Sequence, residues 1–432
     1  MIINKSFFFK KKILIYGLGK SGISALKFLK SKKNKLYIFD DKKFPKKKFI
    51  KINELNNQEF DYIVISPGID IKKCKLNFFI KKNISKVITD LDIFYAFYKN
   101  PTITITGTNG KSTSAKILFE ILKDQKKDVR LVGNIGNPIL SEKKIKKSSI
   151  FVIEASSYQL EYSKFFKTKH GVILNITPDH IERHGTFKNY INAKFNLIKN
   201  QSKGTFSFLN FDDKNIRRKI ISNKFKSEII KIRTKTINDV SLKIKNEYFK
   251  TDGNYENLLM IIEIIKKLKL NIKKSISTLN KFKGLKYRQQ IIFSNQNLKI
   301  INDSKSTSYA SSESLLKNFK KAYWIIGGIP KKNDHFSLSK KYIKETRAYI
   351  YGNYSKVFQK ELSKKLKTKT FLNLKVLLNT MFSDLNKYKN DKYTILFSPA
   401  AASFDEFKNF EERGEYFNQL IKNKVNGKFN FK

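Results

Sequence analysis

Gly107-Thr108-Asn109-Gly110-Lys111-Ser112-Thr113 is the run in this chain whose residue types and spacing are best suited to chemistry. It follows the β-branched run Thr102 to Thr106 and leads into an apolar-periodic stretch, so a strand, a glycine turn and a helix over Lys111 to Lys123 are expected in that order. Such a turn aims unbonded backbone N–H groups and the positive end of a helix at phosphate. Lys111 would then neutralise β and γ phosphates of ATP, while Ser112 or Thr113 would reach Mg²⁺. The strict pattern of glycine, four residues and Gly-Lys-Ser/Thr is not met, because its first glycine would fall on Ile105. Gly107 instead makes a shorter loop.

Other polar residues acquire meaning beside that loop. Glu154 ends the apolar run Ile150 to Ile153, where a carboxylate at a strand tip can hold the metal of a neighbouring phosphate loop. His180 and His184 are two of four histidines, at i, i+4 spacing that would share a helix face if the segment is helical. The zinc-protease pattern needs glutamate directly after the first histidine. Here it is Glu182, one place late, so no zinc site is expected. Near the start, Gly17, Gly19 and Gly22 form Gly-x-Gly-x-x-Gly between a strand and a helix, and Asp40 closes the next strand. Read alone, this suggests a dinucleotide site with Asp40 on a ribose hydroxyl, and so an NAD(P)-dependent oxidoreductase as an alternative. The same glycines make room for any nucleotide diphosphate, and a dehydrogenase does not account for the phosphate loop.

The elements that must position these residues alternate along the chain. Ile13 to Tyr16, Leu36 to Phe39 and Tyr62 to Ser66 read as strands, with a helix from about Gly22 between the first two. Thr102 to Thr106, Ile150 to Ile153 and Val172 to Leu174 start a second block. Ile300-Ile301, Tyr323 to Ile326, Tyr349 to Tyr351 and Tyr393 to Phe397 belong to a third. The expected fold class is α/β in three domains: a Rossmann-like nucleotide-binding domain at 1–97, a central P-loop-type ATPase with a mainly parallel sheet at 98–284, and a Rossmann-like domain at 285–432. The 89 Lys and Arg against 36 Asp and Glu give +53, yet the lysines spread over the whole length among excess Ile, Asn and Phe. That pattern reads as compositional bias, and no nucleic-acid partner is expected. A single cysteine excludes an internal disulfide framework and fits a reducing compartment. No apolar run reaches the length of a membrane span, and Phe7-Phe8-Phe9 followed by Lys10-Lys11-Lys12 has the wrong order for a signal peptide. A cytoplasmic monomer is expected.

Taken together, Thr106 to Thr113, Glu154-Ala155-Ser156-Ser157, the stretch Asn175 to His180 and Asp303-Ser304-Lys305 resemble the Mur ligases. Pro399 to Gly414, reading Pro-Ala-Ala-Ala-Ser-Phe-Asp-Glu-Phe-Lys-Asn-Phe-Glu-Glu-Arg-Gly, is similar to the motif of the members that add D-glutamate. The match runs from Gly17 to about Phe417. It implies cytoplasmic peptidoglycan precursor synthesis: ATP phosphorylates the carboxylate of UDP-N-acetylmuramoyl-L-alanine, and the amine of D-glutamate displaces phosphate from the acyl phosphate. The C-terminal motif argues against two nearer alternatives, another Mur-type ligase and a folylpolyglutamate ligase.

The resemblance also implies roles residue by residue. Gly107, Thr108, Asn109, Gly110, Lys111, Ser112 and Thr113 would bind ATP, with Asn257 at adenine and Arg288 and Asp303 reaching the nucleotide from the third domain. Lys111, Glu154, His180 and Lys194 would be catalytic. Ser112, Glu154 and His180 would hold Mg²⁺, of which two ions are expected, and Lys194 would help position the second if carbamylated. Gly17, Gly19, Gly22, Asp40 and Asn134 would bind the UDP substrate in place of NAD. Lys305, Thr307, Lys331, Ser403, Phe404 and Phe410 would form the D-glutamate pocket, whose cations and hydroxyls suit a dicarboxylate. Gly253, Tyr287 and Ser308 depart from the family pattern without removing a group the chemistry needs, and Lys332 stands beside Lys331 as a substitute.

Overall fold

The computed structural model describes residues 3–42, 50–55, 57–234, 239–319, 321–386 and 392–425. They form two compact units: Met1–Lys243 with Asn257–Leu279, and Ile244–Glu256 with Asn280–Lys432.

The first unit holds two sheets. Strands β1 (Lys12–Tyr16), β2 (Lys35–Phe39), β3 (Tyr62–Ile65) and β4 (Val87–Ile88) pair in the order β2-β1-β3-β4, all parallel. Strands β5 (Thr102–Thr106), β6 (Val129–Gly133), β7 (Ile150–Glu154), β8 (His170–Ile173), β9 (Phe206–Asn210) and β10 (Glu228–Ile232) follow in the order β10-β9-β8-β5-β7-β6, again parallel. Central strands of a parallel sheet are covered on both faces, which is why β5, β7 and β8 are almost wholly buried. The threonines of β5 are compatible with this because their hydroxyls are mostly bonded: Thr102 and Thr104 meet Thr168 Oγ1 at 3.0 and 2.8 Å. One apolar cluster runs from Ile13 and Ile15 through Phe94 and Phe151 to Ile173 and Phe195.

The second unit is built on β11 (Gln290–Ser294), β12 (Leu298–Asn302), β13 (Ala322–Gly327), β14 (Arg347–Tyr351), β15 (Lys367–Phe371) and β16 (Tyr393–Phe397), ordered β11-β12-β16-β13-β14-β15. Only the β11–β12 hairpin is antiparallel. Separate apolar clusters cover the two faces, one around Trp324 and Ile350, the other around Tyr349, Phe397 and Phe417.

The α/β class is thus as expected, and the strands read from apolar runs are present. The first helix starts at Lys20, two residues before Gly22. Strands β4, β6, β9, β10, β11 and β15 were not legible as apolar runs. β10 and β15 carry lysine at alternating or edge positions, so the charge bias of the chain masks their period. In each sheet the loops that carry the singled-out residues leave the C-terminal ends of the parallel strands, where chain crossovers to opposite sides open a crevice. In the first two sheets those strands are β1 and β5, each flanked by strands on both sides.

Candidate active site

The glycine turn Gly107 to Gly110 bridges β5 and the helix Lys111–Asp124. Gly110 is the N-cap with φ +82°, and a Cβ there would stand 2.3 Å from the Asn257 amide oxygen. Only glycine satisfies both the left-handed backbone and that contact. The same packing brings the buried Asn257 onto the loop, beside the position expected for a nucleotide. Asn175, two residues past the end of β8, holds the loop from the other side: its Oδ1 accepts from Thr108 N at 3.1 Å and Asn109 N at 2.8 Å. Thr108 Oγ1 adds contacts to Thr177 O and Tyr190 OH, each 3.1 Å.

Two lysines converge on one loop carbonyl. Lys111 Nζ donates to Gly107 O at 2.8 Å and Thr108 O at 2.6 Å, and Lys194 Nζ donates to the same Gly107 O at 2.7 Å. Lys194 lies on the helix Phe187–Lys199 and is 1% exposed, with its amine 4.6 Å from the centre of the Tyr190 ring. Burial holds its pKa well below the usual lysine value, Lys111 pushes it the same way, and Asp179 and Glu154 partly oppose both.

Glu154 ends β7 and is 1% exposed. Its Oε1 accepts from Asn134 Nδ2 at 2.8 Å, and its Oε2 is buried with no hydrogen-bond partner among the described residues. Asn134 N also donates to Glu154 O at 2.9 Å, and Gly133 is required there because a Cβ would approach that oxygen to 2.3 Å. An unsatisfied buried carboxylate oxygen is costly unless a cation or donor meets it. A buried carboxylate with one open oxygen suits Mg²⁺, which takes few protein ligands and keeps waters and phosphate oxygens. Among the described residues no group of three or more His, Cys, Asp and Glu side chains gathers as a metal site.

The two histidines differ in role. His180 is not on a helix face with His184: it is the N-cap of the short helix Ile181–His184, at φ +53°, so the helical premise of their pairing is corrected. Its ring is 40% exposed and lies near Asp179 and Glu182, at 3.4 and 3.8 Å. His184 is buried, with Nε2 3.0 Å from Ser157 Oγ and its ring stacked on Tyr158, a structural residue.

A cavity of about 570 Å³ opens beside this centre, lined by Gly17, Gly19, Ser21, Asp40, Ser66 to Asp70, Gly133, Asn134 and Gln159 among others. Asp40 Oδ2 accepts from Leu18 N at 2.6 Å and Oδ1 from Lys42 N at 2.9 Å, so the carboxylate fixes the glycine turn as well as facing the cavity. Gly22 lets the helix Lys20–Lys30 approach: a Cβ would meet Gly17 O at 1.9 Å. Gly19 has open space around it.

In the second unit, β12, β16 and β13 are adjacent and parallel, and their C-terminal loops bring together several predicted residues. Asp303 follows β12, accepting from Gln289 N and Ser398 Oγ at 3.0 Å each. Burial raises its pKa to about 7, against those hydrogen bonds and the nearby Arg288 and Arg413. Phe410 packs under the cations Lys305 and Arg288, at 4.2 and 5.8 Å from its ring centre. Ser403 is buried, Phe404 is 71% exposed, Thr307 is exposed, and Lys331 is half-buried while Lys332 is exposed. Tyr287, at a departure from the family pattern, donates to Glu415 Oε2 at 2.6 Å, and Ser308 caps the helix Tyr309–Leu316.

Two residues outside the sequence-based set hold the sites together. Asn175 opens the stretch Asn175 to His180 and Arg413 lies within Pro399 to Gly414, but nothing in their types marks either as a bracket between loops. Arg413, fully buried, donates to Ser304 O and Oγ, Gly327 O and Ala401 O at 2.7 to 3.3 Å, tying the loops after β12, β13 and β16 into one edge.

Residues 105–278 match the family model of the Mur ligase middle domain, and residues 11–88 that of the "Mur ligase MurD-like, N-terminal domain". A UDP-N-acetylmuramoylalanine–D-glutamate ligase of Rickettsia prowazekii is 33% identical over 96% of this chain and 98% of its own, and one of Prochlorococcus marinus is 35% identical over 98% and 99%. Among solved structures, MurF ligase of Thermotoga maritima in complex with ADP shares the fold, with TM-score 0.55, 15% identity and 98% of each chain covered. The chain belongs to the Mur ligase family, with the UDP-N-acetylmuramoylalanine–D-glutamate ligases.

Proposed function

We propose that this chain joins D-glutamate to UDP-N-acetylmuramoyl-L-alanine at the expense of ATP, and that the residues described above carry the reaction. The observation that carries the reading is the convergence of the Gly107 loop, Lys111, Lys194 and the unsatisfied Glu154 oxygen beside a nucleotide-sized cavity. Lys111 and the loop amides bind the ATP phosphates, and Asn257 lies where adenine would rest. Gly17, Gly19, Gly22, Asp40 and Asn134 hold the UDP substrate. Asn134 sits on both the cavity wall and Glu154, so it delivers the L-alanyl carboxylate towards the phosphate loop.

The carboxylate oxygen attacks the γ-phosphorus, ADP leaves, and an acyl phosphate forms. The neutral amine of D-glutamate adds to its carbonyl carbon, the nitrogen loses a proton, and the tetrahedral adduct expels inorganic phosphate. Ser112, Glu154 and His180 are the residues that would hold Mg²⁺, whose charge offsets the approach of one anion to another. Lys194, whose pKa burial holds well below the usual lysine value, can in its neutral form add its nitrogen lone pair to CO₂ and lose a proton, giving a carbamate that would serve as a further ligand. Lys305, Thr307, Lys331, Ser403, Phe404 and Phe410 form the D-glutamate pocket, with Arg288 and Asp303 reaching ATP. Segments 1–97, 98–284 and 285–432 take the UDP-substrate, ATP and amino-acid roles in turn. No described helix is long and apolar enough to cross a membrane. The use of ATP and a nucleotide-linked precursor supports a cytoplasmic reaction, and the chain is proposed to act as a monomer.

The test is phosphate release by purified protein given ATP, Mg²⁺ and UDP-N-acetylmuramoyl-L-alanine with D-glutamate, L-glutamate or meso-diaminopimelate. Turnover with D-glutamate alone is expected; turnover only with meso-diaminopimelate would sink the assignment.

A further inference from the structure

We infer that Arg183 is a positioning residue that couples the nucleotide cavity to the His180 turn; the inference rests on the functional reading above. Arg183 is 9% exposed and follows His180 by three residues on the helix Ile181–His184. Its guanidinium donates to Ile69 O and, at 3.4 Å, to Pro67 O, and its Nε lies 3.8 Å from Asp70 Oδ1. Pro67, Ile69 and Asp70 all line the cavity. One cationic fork from the metal-side turn thus grips the loop after β3 by two carbonyls and a carboxylate, a geometry that lysine cannot reproduce.

The other face of the guanidinium fixes the metal side. Its carbon lies 4.6 Å above the Tyr158 ring, and Tyr158 in turn packs against His180 at 5.0 Å and His184 at 5.5 Å. His180 is held in a left-handed conformation that a non-glycine residue keeps only when its surroundings enforce it. Arg183 supplies part of that enforcement, and it does so from the loop that the nucleotide contacts. A ligand that orders residues 67–70 therefore also steadies His180, and by linkage a metal at His180 favours the nucleotide.

The test compares wild type with Arg183→Ala and Arg183→Lys. Calorimetry with UDP-N-acetylmuramoyl-L-alanine in the absence of ATP reads nucleotide binding, and Mn²⁺ binding followed by electron paramagnetic resonance, with and without that nucleotide, reads the coupling. Arg183→Ala is expected to weaken nucleotide binding about tenfold and to abolish the nucleotide-induced gain in Mn²⁺ affinity, with the KM for D-glutamate within about twofold of wild type. If Arg183→Ala does not fold, Arg183→Lys carries the test, with the same selective loss expected. Nucleotide binding and coupling equal to wild type in the folded variant overturn the inference. Equal rises in all KM values overturn it too, since a merely structural role produces them. Failure of the wild-type protein to bind the nucleotide overturns the functional reading instead.

Discussion

At the scale of single residues, Lys194 and Glu154 show why type and spacing alone were insufficient. Lys194 is one of many lysines in the chain, and only motif position singled it out. Its significance is physical: burial removes the water that would stabilise an ammonium, and Lys111 is held on the same carbonyl. Lys194→Ala is expected to lower the rate of phosphate release by at least about a hundredfold, with partial recovery in added acetate or formate, whose carboxylate can occupy the space of the carbamate. Full activity without rescue would remove the carbamate from the mechanism. Glu154 was legible as a strand-end acid beside a phosphate loop. That one of its oxygens is engaged by Asn134 while the other stays unsatisfied was not legible, because Asn134 lies 20 residues away and meets it only through the pairing of β6 with β7.

Among the elements, the glycine turns after β1 and β5 were readable because glycine is scarce here and each stands between a strand and a helix. Their functions differ in a way the sequence hides. Gly110 is needed for its backbone and for Asn257, Gly22 for the approach of the helix Lys20–Lys30 to Gly17 O, and Gly19 leaves space towards the cavity. Gly22→Ala would force that helix outwards and is expected to destabilise the protein by roughly 1–3 kcal/mol. It should also raise the KM for the UDP substrate by about tenfold while that for D-glutamate stays near wild type. Thermal melting and substrate titrations check both; an unchanged KM would mean that the turn holds no part of the nucleotide. The helix premise for His180 and His184 failed for a local reason. Spacing of i, i+4 implies a shared face only within a helix, and the backbone of His180 is left-handed, outside the single turn that follows.

For the molecule as a whole, the division of the chain is the feature least visible in one dimension. The second unit includes Ile244–Glu256, although the strand pattern of the third block starts only after Gly284. Tyr248 and Phe282 form an edge-on aromatic pair at 5.4 Å, Gly284 lies under the Tyr248 ring, and Asn254 Nδ2 donates to Gln289 Oε1 at 3.0 Å. Asp252 N donates to Asn318 Oδ1 at 2.9 Å. A fragment of residues 244–432 is therefore expected to melt cooperatively and at least about 5 °C above a fragment of residues 285–432. Equal melting temperatures would show that Ile244–Glu256 contributes nothing to that unit. The sequence by itself determined the α/β class, the strands with uninterrupted apolar runs, the glycine turn between β5 and its helix, and the family, because these depend on local period and on motifs of adjacent residues. Tertiary structure alone decided that Asn175 brackets the loop, that Asn134 meets Glu154, that Lys194 is desolvated, and that Arg183 and Arg413 each gather separate loops. Those contacts join residues tens to more than a hundred positions apart, brought together by strand order and burial, which no local spacing records.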